Sequence, residues 1–319
     1  MSAWLVTGGA GYIGAHVVRA LGASGRSAVV LDDLSTGFES FVPGGVPLVR
    51  ASVLDAEAVR SAVREHAVTG VVHLAGWKYA GVSVREPLRF YRENVSGMER
   101  LLSVVVEEGV PSFVFSSSAS VYGTPRDAEV TEQTPTAPQS PYGETKLAGE
   151  WLLRDVARAH GLRQMSLRYF NVVGSGGDGL YDASPHNLFP LVLKALAAGE
   201  APVVHGGDYP TPDGSCVRDY VHVVDIAEAH VAAVEALEGG RPIADVYNLG
   251  VGEGSSVLAI VDAFRRALGR DFPHVVGPRR PGDPARIVAS AEAAARDLGW
   301  RARLDLDAMV ASALKAPPP

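Results

Sequence analysis

A tyrosine and a lysine stand four residues apart in the stretch "SPYGETKLAGEW", at Tyr142 and Lys146. On a helix this spacing places both side chains on one face, about one turn apart. An ammonium group beside a phenol stabilises the phenolate and lowers its pKa from about 10. Such a tyrosine can remove a proton from a substrate hydroxyl near neutral pH. The pair therefore suggests general-base chemistry, although the same spacing is common on ordinary surface helices.

A run of serines precedes this pair, in the stretch "SFVFSSSASVYG". The continuous apolar run in its first half predicts a buried strand over 112–118, which places Ser118 at the carboxyl end of that strand. Ligands bind at this edge of the sheet in open α/β folds. We therefore expect the Ser118 hydroxyl to lie close to a bound substrate.

A glycine-rich turn near the N-terminus indicates a dinucleotide site. The stretch "VTGGAGYIG" spaces Gly8, Gly11 and Gly14 three residues apart, between a predicted strand and a predicted helix. Glycines at these positions permit a tight turn, a close approach of the backbone to a pyrophosphate and close helix–strand packing. The N-terminus of the helix also offers unpaired N–H groups to the phosphates.

The next predicted strand, "SAVVLDD", ends in Asp32 and Asp33, about 20 residues beyond the turn. A carboxylate at this place accepts hydrogen bonds from a ribose 2′-hydroxyl and repels a 2′-phosphate. The second carboxylate makes the place still less favourable for a phosphate. The predicted cofactor is therefore NAD rather than NADP.

Alternating strands and helices predict the scaffold that positions these residues. The predicted strands are 3–7, 27–33, 45–51, 70–76, 112–118 and 163–170. Such alternation is typical of a doubly wound parallel Rossmann sheet in an α/β protein, with helices on both faces. We expect an NAD-binding domain over 1–171 and a smaller C-terminal α/β substrate-binding lobe over 172–319, with segments near 218–250 able to rejoin the first sheet. The predicted loop of the lobe covers 172–186, and a strand is expected near 218–223.

Composition narrows the class of protein. The 319 residues can bury a large core, and 47% hydrophobic with 20% charged residues is typical of a soluble globular protein. A net charge of -7 argues against general binding to nucleic acid or to anionic membranes. No apolar run approaches the roughly 18 residues of a membrane span, and no signal peptide is apparent. The single cysteine, Cys216, favours a cytoplasmic protein, and the nine histidines lack metal-ligand spacing, so no metal is expected.

Taken together, the motifs resemble those of the UDP-glucose 4-epimerase family, within the extended short-chain dehydrogenase/reductase superfamily. The resemblance runs through nearly the whole chain, in the stretches "TGGAGYIG", "HLAGWKYAG", "FSSSASVYG", "SPYGETK", "LRYFN", "DYPTPDGSCVRDYVHV", "YNLG" and "PRRPGD". The first and fourth stretches mark only the superfamily. Their combination with the sixth and the last is much more specific.

The resemblance implies three groups of site residues. Tyr142 would act as the base on the sugar 4-hydroxyl, Lys146 would hold the nicotinamide ribose, and Ser118 would bond the 4-oxygen. The implied NAD site consists of Gly8, Gly11, Tyr12, Ile13, Gly14, Asp32, Asp33, Ser52, Val53, Leu74, Ala75, Gly76, Lys78, Asn94 and Phe170. The implied substrate site consists of Asn171, Asn187, Leu188, His205, Arg218, Arg280, Asp283 and Ile287. The arginines suit a diphosphate, which a guanidinium group binds through two parallel hydrogen bonds.

The implied reaction is transient oxidation at sugar C4. Hydride passes to NAD, the 4-keto sugar turns about its diphosphate linkage, and hydride returns to the opposite face. The cofactor is regenerated and can remain bound. The resemblance also implies a homodimer, formed by helices near 88–108 and 144–159.

The sequence departs from the family pattern in four places. Ser52 stands where an Asp usually contacts the adenine amino group, which predicts weaker retention of NAD. His205 stands where an aromatic ring usually borders the nucleotide base, which leaves uridine and thymidine both open. Val172 replaces a usual Pro, and the loop from it to Asn187 is shorter. The chain also ends before the aromatic-rich tail that many members carry, with little expected effect on catalysis.

Alternative functions follow from the same residues. UDP-glucose and UDP-galactose lead, but UDP-N-acetylhexosamine, UDP-hexuronate and dTDP-hexose substrates stay open. Ile287 lies where the family controls room for an N-acetyl group, and its intermediate bulk does not decide between them. A nucleotide-sugar dehydratase or decarboxylase is the second reading. Dehydratases need an acidic pair beside the catalytic serine or threonine, and here the residues are Ser118, Ala119 and Ser120. A non-catalytic NAD sensor is the third, and such proteins tend to lose the Tyr–Lys pair.

Overall fold

A computed structural model of the chain describes residues 2–127, 129–177, 179–280 and 283–317. The strands in these residues are β1 (Ala3–Thr7), β2 (Ser27–Asp32), β3 (Leu48–Arg50), β4 (Val68–His73), β5 (Ser112–Ser118), β6 (Glu129–Val130), β7 (Arg163–Tyr169), β8 (Asn171–Val173), β9 (Val203–His205), β10 (Val217–Arg218), β11 (Tyr220–His222), β12 (Val246–Leu249), β13 (Ser255–Ser256), β14 (Val275–Gly277) and β15 (Arg286–Ala289).

The helices alternate with the strands of the first half and recur in the second. They are α1 (Tyr12–Ala23), α2 (Ala56–Glu65), α3 (Ala80–Arg85), α4 (Pro87–Phe90), α5 (Gly97–Glu107), α6 (Pro141–His160), α7 (Leu188–Ala197), α8 (Val223–Glu238), α9 (Val257–Leu268), α10 (Glu292–Leu298) and α11 (Leu306–Lys315). A π-helical segment, Tyr91–Ser96, joins α4 to α5. None of the described helices is long and apolar enough to cross a membrane.

The central sheet contains seven parallel strands in the order β12-β7-β5-β4-β1-β2-β3. Along β1, Trp4 and Val6 enter the core beneath α1 and α8, whereas Ala3 and Leu5 enter the core beneath α2, α5 and α6. Both faces of this strand are buried, which is why it is a continuous apolar run rather than an alternating one. The predicted doubly wound parallel sheet is confirmed.

The strand order reverses between β1 and β4. The chain moves outward from β1 to β2 and β3, and then returns to β4 on the other side of β1. Loops that leave these two neighbouring strands therefore diverge and open a crevice at the carboxyl edge of the sheet. The fold alone places a ligand site at this edge.

The second half of the chain forms a smaller lobe around its own core. Helices α7, α9 and α11 bury Phe189, Phe264 and Val310 beside a four-stranded sheet of order β13-β10-β15-β6. Segments cross between the two halves, because β6 precedes residue 171 yet pairs with β15, and β12 follows it yet pairs with β7. The domain boundary at residue 171 stays a prediction.

Two local predictions for the second half are wrong. The loop expected over 172–186 begins as strand β8, which pairs with β11. The single strand expected near 218–223 is divided into β10 and β11 at Asp219. The buried Asp219 carboxylate accepts hydrogen bonds at 2.8–3.1 Å from three backbone N–H groups, two after β12 and one in β15. These bonds give the Asp219 carboxylate its partners at the point where the strand is interrupted. They also connect the central sheet to the four-stranded sheet.

The helix expected near 88–108 is present, but it contains the π-helical segment Tyr91–Ser96. Asn94, in this segment, donates to the carbonyl oxygen of Trp77 at 2.9 Å and to the hydroxyl of Thr145 at 3.0 Å. Its side-chain oxygen accepts from the Trp77 N–H at 2.7 Å. A π turn redirects a side chain relative to a regular helix, and such turns are frequent at functional sites. Here it fixes the loop that follows β4.

Candidate active site

A cleft of about 460 Å³ lies at the carboxyl ends of β1, β2 and β4. The residues predicted for the cofactor that line it are Gly8, Gly11, Tyr12, Ile13, Gly14, Asp32, Asp33, Ser52, Val53, Leu74, Ala75, Gly76 and Lys78. Tyr142 and Lys146 line the same cleft. The structure therefore brings together stretches that lie up to about 140 residues apart in the sequence.

The turn after β1 is built so that only glycine fits. Gly8 has φ +72°, and a Cβ there would lie 2.6 Å from the backbone nitrogen of Ala75. A Cβ on Gly14 would lie 2.1 Å from the Gly8 carbonyl oxygen, so α1 packs onto the turn only without a side chain. Gly11 is the N-cap of α1 and supplies no capping side chain. The first N–H groups of the helix therefore remain available to an anionic group.

Asp32 lies at the end of β2 and lines the cleft. Its carboxylate accepts from the N–H of Ala10 at 3.0 Å and from the N–H of Leu34 at 2.9 Å. Burial raises the pKa of Asp32, and these two hydrogen bonds oppose the rise. Each carboxylate oxygen keeps a second lone pair, which can accept from a ribose hydroxyl. Asp33 is exposed and accepts from the Ser35 hydroxyl at 2.6 Å.

Two residues predicted for the cofactor lie behind the cleft wall. Asn94 is buried and supports the Trp77 backbone from behind, as described above. Phe170 packs against a small buried cluster that includes Tyr122 and Leu147. Ser52 does line the cleft, but its hydroxyl accepts from the Leu54 N–H at 3.2 Å and so helps to form its own turn.

The donors and acceptors along the cleft fit the successive parts of NAD. The glycine turn offers N–H groups for a pyrophosphate, and Asp32 offers acceptors for the adenosine ribose. Tyr142 and Lys146 lie with Lys78 among the residues that would face the nicotinamide half. A side chain on Gly8 or Gly14 would fill the space that holds the turn in place. The chemistry of this donor set is therefore that of a dinucleotide site.

Tyr142 is held at the start of α6. Ser140 caps this helix, and the backbone N–H of Tyr142 donates to the Ser83 hydroxyl at 3.0 Å. Burial raises the pKa of the Tyr142 phenol above 10, and a hydrogen bond with Ser118 opposes the rise. Burial outweighs this hydrogen bond, and the lowering of the Tyr142 pKa expected from Lys146 stays a prediction.

Lys146 is nine-tenths buried at the floor of the cleft, with 6% of its surface exposed. Its ammonium donates to the Ser116 carbonyl at 2.7 Å and lies 6.0 Å from the centroid of the Tyr142 ring. Burial lowers the pKa of Lys146 to about 8, and the negative charge of Glu150 opposes the lowering. The ammonium form is therefore only marginally favoured just above neutral pH.

A buried ion pair joins Glu150, one turn beyond Lys146 on α6, to Arg168 on β7. Neither residue was in the site predicted from the sequence. Glu150 receives two hydrogen bonds from Arg168 of β7, at 2.8 and 2.5 Å, and a third from the Ser117 hydroxyl. Arg168 also donates to the Tyr122 hydroxyl at 2.9 Å. The signal available was weak: a carboxylate one helical turn beyond Lys146, and an arginine inside a buried strand.

Arg218 and Asp283 of the predicted substrate site form an ion pair at 3.4 Å in the second lobe. Nη2 of Arg218 is buried and has no hydrogen-bond partner among the described residues. The Asp283 carboxylate balances the charge of this group but leaves the Nη2 donor without a hydrogen bond, so it can still donate to an incoming acceptor. Arg280 lies near enough that its charge and that of Arg218 both act on Tyr220 and oppose the burial that raises its pKa. Residues 281 and 282 of "PRRPGD" lie outside the described residues.

Three further predicted substrate residues border the loop between the halves. The Asn171 side chain donates to the Asp219 carbonyl at 3.0 Å. The Asn187 side chain donates to the Asp182 carboxylate at 2.7 Å. Leu188 opens α7 and packs partly buried against the core of the lobe. None of the three is among the residues that line the cleft.

The last two predicted substrate residues lie farther into the second lobe. His205 ends β9 and is half-buried, with Nδ1 3.3 Å from the Pro278 carbonyl. Ile287 in β15 is buried against Tyr122 and Leu147 rather than on the cleft surface. Its bulk therefore acts on the sugar region only through this packed cluster.

Sequence reasoning missed several residues that line the cleft. They are Leu31, Ser35, Thr36, Phe38, Ala51, Trp77, Tyr79, Glu93, Ser116, Tyr169, Tyr181, Asp182, Ala183, Ser184 and Pro185. The last five belong to the loop before α7. The Tyr12 hydroxyl donates to Gly174 at 2.6 Å, and the Gly176 N–H donates to His16 at 2.8 Å, which holds this loop over α1. These contacts join residues about 160 apart, so no local pattern indicates them.

Several histidines in the described part of the chain are buried without forming a metal cluster. No group of three His, Cys, Asp or Glu side chains among those residues is arranged to hold a metal ion. Burial lowers the pKa of His73 to about 3, and those of His222 and His230 to about 4. All three are therefore neutral at neutral pH.

Comparison with known proteins agrees with this geometry. The sequence profile of the NAD dependent epimerase/dehydratase family matches residues 4–250. The chain is 43% identical to a UDP-glucose 4-epimerase of Azospirillum brasilense over 97% of this chain and 90% of that protein. It is 44% identical to one of Streptomyces lividans over 95% of this chain and 92% of that protein.

A solved structure extends the similarity to the backbone. A UDP-glucose-4-epimerase from Stenotrophomonas maltophila, with bound NAD and formylated UDP-arabinopyranose, superposes with a TM-score of 0.93 at 40% identity. The match covers 98% of this chain and 97% of that chain. The profile match covers well over half of the chain, and the curated relatives match nearly all of it. The chain therefore belongs to the NAD-dependent epimerase/dehydratase family and, within it, to the UDP-glucose 4-epimerase family.

Proposed function

We propose that this protein is an isomerase that inverts C4 of a UDP-hexose, with UDP-glucose and UDP-galactose as the leading pair. The observation that carries the proposal is the convergence of Tyr142, Ser118 and Lys146 at the end of a cleft whose other residues fit NAD. A hydroxyl-handling group beside a hydride acceptor is what oxidation of a sugar alcohol requires.

The roles of the three residues follow from their positions. The Tyr142 phenolate takes the proton of the sugar 4-hydroxyl, and the Ser118 hydroxyl holds the same oxygen through a hydrogen bond. The Lys146 ammonium supplies positive charge from the floor of the cleft, which favours the phenolate. When bound, NAD would accept the hydride from C4 and later return that hydride to the sugar. Its oxidised nicotinamide ring would add positive charge to the site. Tyr142 then gives the proton back to the inverted hydroxyl.

The nucleotide diphosphate would be held by the second lobe. Arg218 offers a buried donor, and Arg280 adds a second guanidinium on an exposed segment nearby. Guanidinium groups bind phosphate oxygens through paired hydrogen bonds. Asp283 holds Arg218 in place and would accept from a ribose or sugar hydroxyl. This arrangement supports a nucleotide-diphosphate sugar as substrate and leaves the identity of the sugar to experiment.

Elimination chemistry is a weaker candidate. Ser118 is followed by a short 3-10 turn, Ala119–Tyr122, and its hydroxyl lies 3.1 Å from the Ser120 hydroxyl. The two residues after Ser118 carry no carboxylate to serve as the acid–base pair of a dehydratase. Inversion without net loss of water fits these side chains better.

We also infer a homodimer, formed through the helices that flank the cleft on the α6 side. Four large apolar side chains there are exposed: Val84 on α3, Leu88 on α4, Tyr91 on the π-helical segment and Trp151 on α6. Leu88 has 84% of its surface exposed, and several exposed apolar side chains on neighbouring helices are typical of a protein–protein contact surface. A second copy of the chain is the proposed partner, and a cytoplasmic location is proposed with it.

The test of the proposed function is product analysis by NMR. The protein is incubated with UDP-galactose, UDP-glucose, UDP-N-acetylglucosamine, UDP-glucuronate and dTDP-glucose, without added reductant. Conversion of UDP-galactose to UDP-glucose with no net NADH is expected. A stable keto sugar or a product that has lost water would contradict the proposal, and so would the absence of any product with a cofactor-loaded protein. Conversion of another member of the panel to its C4 epimer would support the epimerase activity and identify a different sugar as the substrate.

A further inference from the structure

Glu150 lies where α6, the helix that carries Tyr142 and Lys146, meets strands β5 and β7 of the central sheet. It follows Lys146 by four residues and Tyr142 by eight, so all three side chains emerge on the same side of α6. Only 6% of the Glu150 side chain is exposed, and the same holds for its partner Arg168. A buried charge persists only where it is paired and hydrogen-bonded.

The contacts of this pair reach each element that carries a catalytic group. Arg168 binds the carboxylate through two parallel hydrogen bonds at 2.8 and 2.5 Å from β7. The hydroxyl of Ser117, the neighbour of Ser118 on β5, donates to the same carboxylate. Arg168 continues to the Tyr122 hydroxyl, and Tyr122 donates to the Asn248 side chain on β12 at 2.7 Å. One network therefore fixes α6, β5, β7 and β12.

We propose that Glu150 is a positioning residue of the active site: its carboxylate stabilises the ammonium form of Lys146, and its hydrogen bonds hold the strand end that carries Ser118. This inference deepens the proposed epimerase function and rests on it for the role of Lys146. The ion pair with Arg168 is what keeps the carboxylate ionised at this depth. A plain stabilising role for the pair would not act on the protonation of Lys146.

Glu150 supplies the negative charge that acts on Lys146, and Arg168 is the positive charge paired with it. Burial lowers the pKa of His73 on β4 to about 3, and it raises the pKa values of Tyr169 on β7 and of Tyr142. His73 and the Tyr169 phenol are therefore neutral near pH 7. Glu93, on the π-helical segment, lines the cleft as well. Glu150 is the residue whose charge opposes the lowering of the Lys146 pKa to about 8.

The titration of Lys146 can be observed directly, because the chain has only four lysines. Lys78, Lys194 and Lys315 are exposed, and Lys146 is buried. Lysine labelled with ¹³C at the ε position gives one signal for each, and the signal absent from Lys146→Arg is that of Lys146. The measurement uses the NAD-loaded protein and does not depend on turnover.

The informative variants are Glu150→Gln and the pair Glu150→Gln/Arg168→Met. In Glu150→Gln the Lys146 midpoint is expected to fall by about one pH unit or more, and the alkaline limb of the kcat profile to move down with it. This variant leaves Arg168 buried and unpaired and is expected to lose thermal stability. The double variant removes both charges, regains stability, and keeps the low Lys146 midpoint.

The matched control is Glu107→Gln, which removes an exposed carboxylate from its ion pair with the partly buried Arg60. It is expected to leave the Lys146 midpoint unchanged. A double variant that folds stably and titrates at the wild-type midpoint would overturn the inference, whatever its activity. If the midpoint falls as expected while the wild-type protein converts no UDP-sugar, the effect on Lys146 stands and the proposed function fails.

Discussion

At the scale of single residues, the active site depends on groups whose environment sets their protonation. Burial raises the pKa of Tyr142 and so favours its neutral form, whereas the hydrogen bond with Ser118 favours the phenolate. Lys146 is balanced between burial and the charge of Glu150. Small electrostatic changes are therefore expected to alter catalysis more than they alter the fold.

Tyr142→Phe removes the hydroxyl that accepts the proton and leaves the ring that packs against Phe90. We expect kcat for epimerisation to fall roughly 10²–10⁴-fold, because proton transfer of this kind contributes about that factor. Bound NAD and the melting temperature are expected to stay close to wild type. Turnover at the wild-type rate would show that another group is the base.

Asp32→Asn tests the ribose contact. A hydrogen bond to a charged group contributes about 1.5–3 kcal/mol, so NAD affinity is expected to fall roughly 10- to 100-fold, with a smaller loss for NADP. Calorimetric titration of the cofactor-free protein measures both. Asp33→Asn is the comparison, because that carboxylate is exposed and already accepts from Ser35. Equal losses in the two variants would contradict the assignment of Asp32.

At the scale of elements, strand ends and helix starts bring the site together. The glycine turn and Asp32 were predictable because each follows a buried strand of a parallel sheet, and such ends meet at one edge. The loop after β4 was indicated only by the family resemblance. The contact between Glu150 and Arg168 was not, because the partners lie on different elements and neither has a distinctive neighbourhood in the sequence. The loop with Tyr181 and Asp182 reaches the cleft only through contacts to α1.

The helix layer that carries Leu88 and Trp151 gives a prediction at this scale. Leu88→Glu places a charge in the proposed interface and is expected to convert the dimer to a monomer at micromolar concentration, because a buried unpaired charge is costly. Light scattering coupled to size-exclusion chromatography measures the mass. Val276→Glu, at an exposed valine on β14, is the control and is expected to stay dimeric. A wild-type protein that is monomeric over the same range would contradict the proposed dimer.

At the scale of the whole molecule, stability should depend on pH through the buried histidines. The folded pKa values of His73, His222 and His230 lie below the ordinary value of 6.5. The unfolded chain therefore binds more protons as the pH falls below about 6.5, and the free energy of unfolding decreases until the folded pKa is reached. Above that range all three are neutral in both states and contribute no slope.

His230→Leu isolates one of these contributions. His230 is fully buried, and its Nε2 has no hydrogen-bond partner among the described residues. Between pH 7.5 and 4.5 the wild-type protein should lose about 2–3 kcal/mol more of unfolding free energy than the variant. Urea denaturation at both pH values measures the difference. The same loss in both proteins would show that His230 does not titrate as its burial indicates.

The central claim is that the sugar is oxidised and reduced again at C4 within one site. The most direct measurement is the fate of deuterium in UDP-galactose labelled at C4, incubated with the NAD-loaded protein in ordinary water and followed by NMR and mass spectrometry. The account predicts UDP-glucose that retains deuterium at C4, with no NADH released. Conversion with loss of the label to solvent, or no conversion at all, would contradict it.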